Sequence, residues 1–353
     1  MITLPARYVS TGVVANGGMG SVLFCNDSHL ERPVAIKVLK DPKQRRRIID
    51  ELQALLKMRS KHVVQVYDVL KLDGDALGIV QEFIAGVDLF DDRFKKLALD
   101  SFLQVIWQIS AGIRDIHAAG VIHRDIKPNN MKMDSEGILK IYDFGLARDS
   151  GPAAMTRGFV GTQGFGAPEL YAMQATFTQA VDVYAFGATA LYLATGDLPE
   201  ELCAIPPRSA GRSYFSALPL GIDQHLCDVL DACLAPTADD RPSMGAVTDV
   251  LMRYLLRDKH QALAVYGGSP RYLNANNRAV NLELKGVGAI AINYNGLDFV
   301  VSAASGEVAI NNRRPNVGDT LPGSCVVSLG DAHRRANERA FITFDVSHPE
   351  IVL

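Results

Sequence analysis

The sequence is short of several things, and each absence narrows what the chain can be. Cysteine pairs at C-x-x-C spacing are missing. The five cysteines, Cys25, Cys203, Cys227, Cys233 and Cys325, are scattered and odd in number, which argues against a disulfide framework and leaves reduced thiols in a cytoplasmic protein as the simplest reading. Charge of one sign is lacking too: the formal net charge is −3 over 353 residues, so neither nucleic acid nor a membrane surface is implied as a partner. Long hydrophobic runs are also absent. The most apolar stretch, Ala180–Thr195, carries Asp182 and is too short to span a bilayer. The first residues, M-I-T-L-P-A-R, lack a signal peptide's charged start and apolar run. The expectation is a non-membrane chain with room for one large or two ordinary domains.

What is present is concentrated in Val121–Gly145, V-I-H-R-D-I-K-P-N-N-M-K-M-D-S-E-G-I-L-K-I-Y-D-F-G. Asp125, Lys127, Asn130 and Asp143 are suited to chemistry, with Arg124 as a bridge. Asp125 and Asn130 are five residues apart on a stretch that Pro128 keeps from being helical. Met131–Met133, the polar turn Asp134–Gly137 and Leu139–Ile141 read as a short hairpin, which returns Asp143 to the side of Asn130. Two oxygen ligands and a separate carboxylate in one place suit Mg²⁺ and ATP. Hard oxygens hold the ion, and the second acid orients a hydroxyl.

H-R-D-I-K-P-N-N followed by D-F-G resembles the catalytic core of eukaryotic-like protein Ser/Thr kinases of the bacterial type, over about residues 8–258. The resemblance implies an α+β, bilobal protein kinase fold in residues 1–258: a five-stranded N-lobe with one main helix (8–84) and a mostly helical C-lobe (85–258). It implies ATP and Mg²⁺ as cofactors, with Mn²⁺ as an alternative metal. Asn130 and Asp143 would hold the metal, and Asp125, Lys127 and Asn130 would be catalytic.

In chain order, Tyr8–Val14 and Ser21–Cys25 read as strands joined by Ala15-Asn16-Gly17-Gly18-Met19-Gly20, whose glycines let backbone N–H groups approach phosphate. Against the family's G-x-G-x-x-G-x-V the matches are Gly17, Gly20 and Val22, with Ala15 in place of the first glycine and a looser grip implied. Val34-Ala35-Ile36-Lys37 is a third strand. A lysine ending an apolar strand is ordinarily a surface residue; the resemblance instead gives Lys37 the α/β-phosphates and places Ala35 at the nucleotide. Asp41–Met58 reads as a helix with Ile48, Leu52, Leu55 and Leu56 on one face. Glu51 beside them is either a solvated carboxylate or, by resemblance, the partner of Lys37. The run Lys43–Arg47 is a solvated face, or a docking point for a phosphate on the activation segment. Val63–Leu72 and Ala76–Gln81 form a hairpin that completes the sheet. Gln81 then falls at the gatekeeper position, and Glu82 and Ile84 at the hinge, where backbone groups would meet adenine. Asp88 is either an acid for the ribose hydroxyls or a helix N-cap. Phe102, Val105, Ile106, Ile109, Ile113 and Ile116 mark a buried helix that Gly120 ends.

Leu146–Gly166 is a long Gly/Ser/Thr-rich loop, of a length usually tied to function or disorder. It runs into Gly161-Thr162-Gln163-Gly164-Phe165-Gly166-Ala167-Pro168-Glu169, which resembles the family's G-T-x-x-Y-x-A-P-E. The resemblance makes Thr162 the residue that bonds Asp125 and Lys127, a mark of Ser/Thr specificity. It makes Thr156 an autophosphorylation site whose phosphate would pair with Arg124. Asp182 would hold the catalytic-loop backbone, and Arg241 would pair with Glu169.

Beyond Arg257 the pattern changes. Residues 259–271, with Gly267-Gly268-Ser269-Pro270, read as a linker. Residues 272–353 alternate strand-like runs with turns: Val280–Leu284, Ala289–Tyr294, Asp298–Ser302, Glu307–Ile310, Cys325–Leu329 and Ala340–Val346. The spacing predicts a small all-β sandwich. It faintly resembles the second half of a forkhead-associated (FHA) domain, without that family's Gly-Arg and Ser-x-x-His phosphate pattern; Asn274 and Lys285-Gly286 stand roughly in those places. An FHA-like module without phosphothreonine binding, packing or docking a protein partner, is expected. The function implied is transfer of the γ-phosphoryl group of Mg-ATP to protein Ser/Thr hydroxyls, with self-association left open. The rival readings are a pseudokinase scaffold acting through the C-terminal β domain and a small-molecule kinase of the same fold. The A-P-E and G-T segments count against the latter.

Overall fold

The structure, a computed structural model, describes residues 3–17, 20–39, 52, 55–56, 58–144, 164–172, 178–347, 349 and 351. The chain divides into two compact units, Met1–Leu251 and Met252–Val352. No helix among the described residues is long and apolar enough to cross a membrane.

In the first unit, β1 (Tyr8–Gly17), β2 (Gly20–Asp27), β3 (Arg32–Leu39), β4 (Val66–Lys71) and β5 (Leu77–Glu82) form an antiparallel sheet in the order β1-β2-β3-β5-β4. β3 is the central strand, and its residues from Val34 to Leu39 are buried without alternation, as on a strand covered on both faces. Lys37 lies inside that run and is 7% exposed, so it is not the surface lysine that the local pattern allows. Tyr8, Cys25, Val34, Ile36 and Val80 form one core cluster of this sheet. Of the helix expected over residues 41–58, only Leu52, Leu55, Leu56 and Met58 are described; Leu52 and Leu55 are buried. The basic run Lys43–Arg47 lies outside the described residues.

A second, three-stranded sheet joins β6 (Gly86–Asp88), β7 (Met131–Asp134) and β8 (Leu139–Ile141). Helix α1 (Leu99–Ala118) packs against it, and every apolar position expected to be buried there is buried. Each such side chain contributes about 1.5–3 kcal/mol. The helix also grips the hairpin by polar means. Gln108 Nε2 donates to the Gly137 carbonyl at 3.0 Å, and its Oε1 accepts the Leu139 N–H at 2.8 Å. At Gly112 the contact is closer still: a Cβ there would lie 2.8 Å from Ile141 Cδ1 and 3.0 Å from the His62 carbonyl oxygen. Helix α2 (Ala180–Thr195) is buried from Val181 to Ala194, so it has no polar face, as expected of a helix in a core. Helices α3 (Gln224–Cys233) and α4 (Met244–Leu255) follow.

In the second unit, β9 (Ala262–Tyr266), β10 (Ser269–Leu273), β14 (Val308–Ile310), β15 (Ser324–Leu329) and β16 (Ala340–Val346) form a sheet in the order β10-β9-β16-β15-β14. A second sheet runs β11 (Ala279–Leu284), β12 (Gly288–Tyr294), β13 (Phe299–Gly306). Alternate residues of both, among them Ala264, Leu282, Ile292, Val301, Val327 and Phe344, share one apolar core. The expected linker is a correction. Residues 259–271 carry β9 and the start of β10. Gly267 and Gly268 have φ of +57° and +76°, the two left-handed residues that a two-residue hairpin turn requires, and Tyr266 pairs with Ser269 across them. Pro270 sits on an edge strand, where a missing N–H is tolerated. Asn274, expected near a phosphate position, is engaged in an Asx turn, its Oδ1 accepting the N–H groups of Asn276 and Asn277 at 3.0 Å.

Candidate active site

The loop after α1 is shaped from below. Asp182, on α2, is 1% exposed. Its Oδ2 accepts the His123 N–H at 2.8 Å and faces His117 Nε2 at 3.0 Å; its Oδ1 accepts the Arg124 N–H at 2.8 Å. A buried carboxylate is costly unless satisfied, and these charge-assisted bonds satisfy it. They also offset local strain, because Arg124 has φ of +67°, a conformation costing a non-glycine residue about 1–3 kcal/mol. His123 is fully buried. It accepts the Asp125 N–H at Nδ1 (3.3 Å) and donates from Nε2 to the Tyr142 carbonyl (3.1 Å). That pattern requires the neutral ring, and burial holds its pKa below the ordinary histidine range.

On this base stand the side chains suited to chemistry. Asp125 is 8% exposed; its Oδ2 accepts from Asn130 Nδ2 at 2.9 Å and lies 3.1 Å from Lys127 Nζ. Asn130 Nδ2 also donates to the Asp125 carbonyl at 2.7 Å, which leaves Oδ1 as the acceptor of that amide. The Tyr142 N–H donates to the Asn130 carbonyl at 2.9 Å, so the hairpin brings the chain back to Asn130 one residue before Asp143. Asp143 has φ of +63°, and its carboxylate pairs with Lys37 Nζ. Phe144 is buried, its ring 4.6 Å from that of His123. Lys37 of the small sheet thus meets Asp143, and Asp125, Lys127 and Asn130 form one cluster beside the returning chain.

The remaining expected residues are arranged around this pair of clusters. Val22 lies opposite Lys37 in the β2–β3 register, and Ala35 is buried two residues before it. Gly17 and Gly20 are paired across the end of the β1–β2 hairpin. Ile84 is half-buried. Glu82 gives its carboxylate to Lys140 at 3.0 Å and to the Gln65 N–H at 3.1 Å. Asp88 is not a helix N-cap; Asp91 takes that role for the next turn, and Asp88 Oδ1 accepts from the Tyr142 hydroxyl at 2.9 Å. Below the site, Arg241 holds Glu169 by two bonds of 2.7 and 2.8 Å. Glu51, Thr156 and Thr162 lie outside the described residues. Reasoning from sequence missed Gln108, His117 and Tyr142. His117, a polar residue in the last turn of an apolar helix, could have been noticed; nothing local distinguishes the other two.

The donor set fits Mg²⁺, a hard ion that takes oxygen ligands and is held by one or two protein groups together with substrate phosphates. Asn130 Oδ1 and the Asp143 carboxylate are such groups. Lys37 adds a positive charge beside Asp143 for a polyphosphate. The arrangement can hold a metal–nucleotide complex at one end and orient a hydroxyl at Asp125.

Comparison with known proteins is consistent with this geometry. The family model for the protein kinase domain matches residues 8–251. The serine/threonine-protein kinase PknA of Corynebacterium glutamicum is 35% identical over 207 residues, covering 55% of this chain and 44% of that protein. The serine/threonine-protein kinase pkn3 of Myxococcus xanthus is 31% identical over 216 residues, 56% of this chain and 39% of its own. Mitogen-activated protein kinase 14 of Xenopus laevis is 30% identical over 283 residues, 67% of this chain and 77% of its own. The chain therefore spans less than half the length of the two bacterial relatives.

Proposed function

We propose that this chain, which belongs to the protein kinase family, transfers the γ-phosphoryl group of Mg-ATP to serine and threonine hydroxyls of proteins. The observation that carries the reading is the pair of clusters just described: Asp125 bonded by Asn130 and Lys127 on one loop, and Lys37 paired with Asp143 on the segment after β8 that returns beside it.

Asp125 orients the substrate hydroxyl and receives its proton as the oxygen attacks the γ-phosphorus and the bond to ADP breaks. Lys127 stabilises the migrating phosphoryl group. Lys37 and the backbone amides at Gly17 and Gly20 hold the phosphates, and Val22, Ala35, Glu82, Ile84 and Asp88 surround the base and sugar. Asn130 and Asp143 would hold Mg²⁺, which when bound would neutralise charge on the phosphates. Little covalent work falls to the protein, so positioning and electrostatics supply the rate. Thr162 is read as the residue selecting Ser/Thr, and Thr156 as an autophosphorylation site whose phosphate draws in Arg124. The second unit is read as a degenerate FHA-like module for protein docking, and the chain as cytoplasmic.

Incubation with radiolabelled Mg-ATP and a generic basic protein, followed by phosphoamino-acid mapping, tests this. Label on serine or threonine is expected. Asp125→Asn should lower the rate by roughly 10²–10³ while leaving nucleotide binding in place. A chain that binds Mg-ATP yet transfers nothing under any activating condition would be a scaffold instead.

A further inference from the structure

Tyr142 stands directly before Asp143, and nothing in the proposed chemistry uses it. Its hydroxyl lies 2.9 Å from Asp88 Oδ1 and 2.9 Å from the Asn129 carbonyl oxygen. A phenol has one proton, so both contacts draw on the same donor, and the ionised acceptor makes the stronger bond. The backbone of Tyr142 is committed as well, its N–H to the Asn130 carbonyl and its own carbonyl to His123.

The neighbouring geometry gives this contact a direction. Lys140, two residues earlier and within β8, pairs with Glu82. In register, Asp88 lies opposite Lys132, and Lys132 opposite Lys140. Ile141, between Lys140 and Tyr142, turns the other way into the core beside Gly112. Lys140 and Tyr142 therefore grip Glu82, the last residue of β5, and Asp88, the last residue of β6, and so hold both sides of the connector. The same few residues of chain deliver Asp143.

We infer that Tyr142 is a positioning residue for the nucleotide: by tying Asp88 to the Asn129–Asn130 backbone, it sets the span between the connector and Asp143. The inference rests on the kinase reading above. A ligand whose sugar meets Asp88 and whose phosphates meet Asp143 must match that span, and a mismatch is felt in binding and orientation. Loss of the phenol bond leaves Asp88 with the looser contact to Lys132 Nζ, 3.9 Å from the same oxygen, so recognition of the sugar hydroxyls is what it should weaken most.

The test uses the full chain and Tyr142→Phe, which keeps the ring and removes only the hydroxyl. KM for ATP, kcat, and the preference for ATP over 2′,3′-dideoxy-ATP are measured on a generic basic protein. The expected result is a KM for ATP raised about tenfold, a far smaller change in kcat, and a preference narrowed by about tenfold. Asp88→Asn should narrow it similarly, and the double variant should add little, as for residues acting through one contact. The inference is overturned if Tyr142→Phe keeps the wild-type KM and preference, if it loses thermal stability and kcat with the preference intact, or if the two variants' effects multiply. Should Tyr142→Phe fail to fold, an unchanged preference in Asp88→Asn overturns it alone, and a narrowed one supports it. A wild-type chain that neither binds nor consumes Mg-ATP sinks the kinase reading and this inference together; wild-type turnover with an indifferent Tyr142→Phe sinks only this inference.

Discussion

The two units of the chain treat polar side chains in opposite ways. In the first, Lys37, His123, Asp125, Asn130, Asp182 and Arg241 are buried, and each meets a partner of matching chemistry. In the second, Ser328 is the one buried polar side chain among the described residues, and the core is otherwise apolar. Its charges pair nearer the surface. Arg334 holds the Glu307 carboxyl down to about 2, and Arg278 meets Asp258 at 2.8 Å. Buried ions are poor stabilisers beside well-packed apolar groups. An interior that keeps them is shaped by something other than packing, and an interior without them is shaped by packing alone.

That contrast can be broken most forcefully at Asp182. Asp182→Ala leaves two backbone N–H groups and His117 without their acceptor and should destabilise the first unit by about 3–5 kcal/mol, read by calorimetry. Asp182→Asn, which keeps the shape, should recover part. An alanine variant that melts like the wild type would mean the buried polar base holds nothing.

A milder probe is acid. His62 is buried with its ring 5.7 Å from that of Trp107, and burial pulls its pKa from 6.5 down to about 4. The folded value lies below the unfolded one, so the unfolded chain takes up the proton first. The neutral ring's contribution is whole above pH 6.5 and is lost as pH falls towards 4, by about 3 kcal/mol at most. Urea denaturation across that range should show the loss, and His62→Leu should flatten it. The second unit has no buried histidine among its described residues, so its amide exchange should respond less. Equal sensitivity in both units would blur the distinction. The smallest effect belongs to Arg334→Ala: partly exposed pairs contribute little, so the melting temperature should barely move, and a large drop would show that the surface of the second unit matters more than its core.

Much of the site was legible because its chemistry dictates residue type and spacing together. Asp125, Asn130 and Asp143 could be placed side by side from a proline, a turn and two short strands, and the structure brings those elements together. Lys37 was ambiguous by itself; only the neighbours of β3 decide that it is buried. What escaped notice depends on contacts distant in sequence. Gly267-Gly268-Ser269-Pro270 has the composition of a flexible linker and of a tight hairpin alike. The deciding fact is that Val265 pairs with Thr343, far along the chain. Gln108 and Tyr142 were silent for the same reason: a glutamine in a helix and a tyrosine just past a strand say nothing until the turn or the carboxylate they hold is known.

Gly112 carries a consequence of its own. With hydrogen for a side chain, it lets helix and strand touch backbone to side chain with no spacer between them, and the strand pressed there is the one that continues into Tyr142 and Asp143. A single added methyl group would act as a shim under that strand. Deep inside the protein and remote from any solvent, it would tilt the far end where Asp143 meets Lys37.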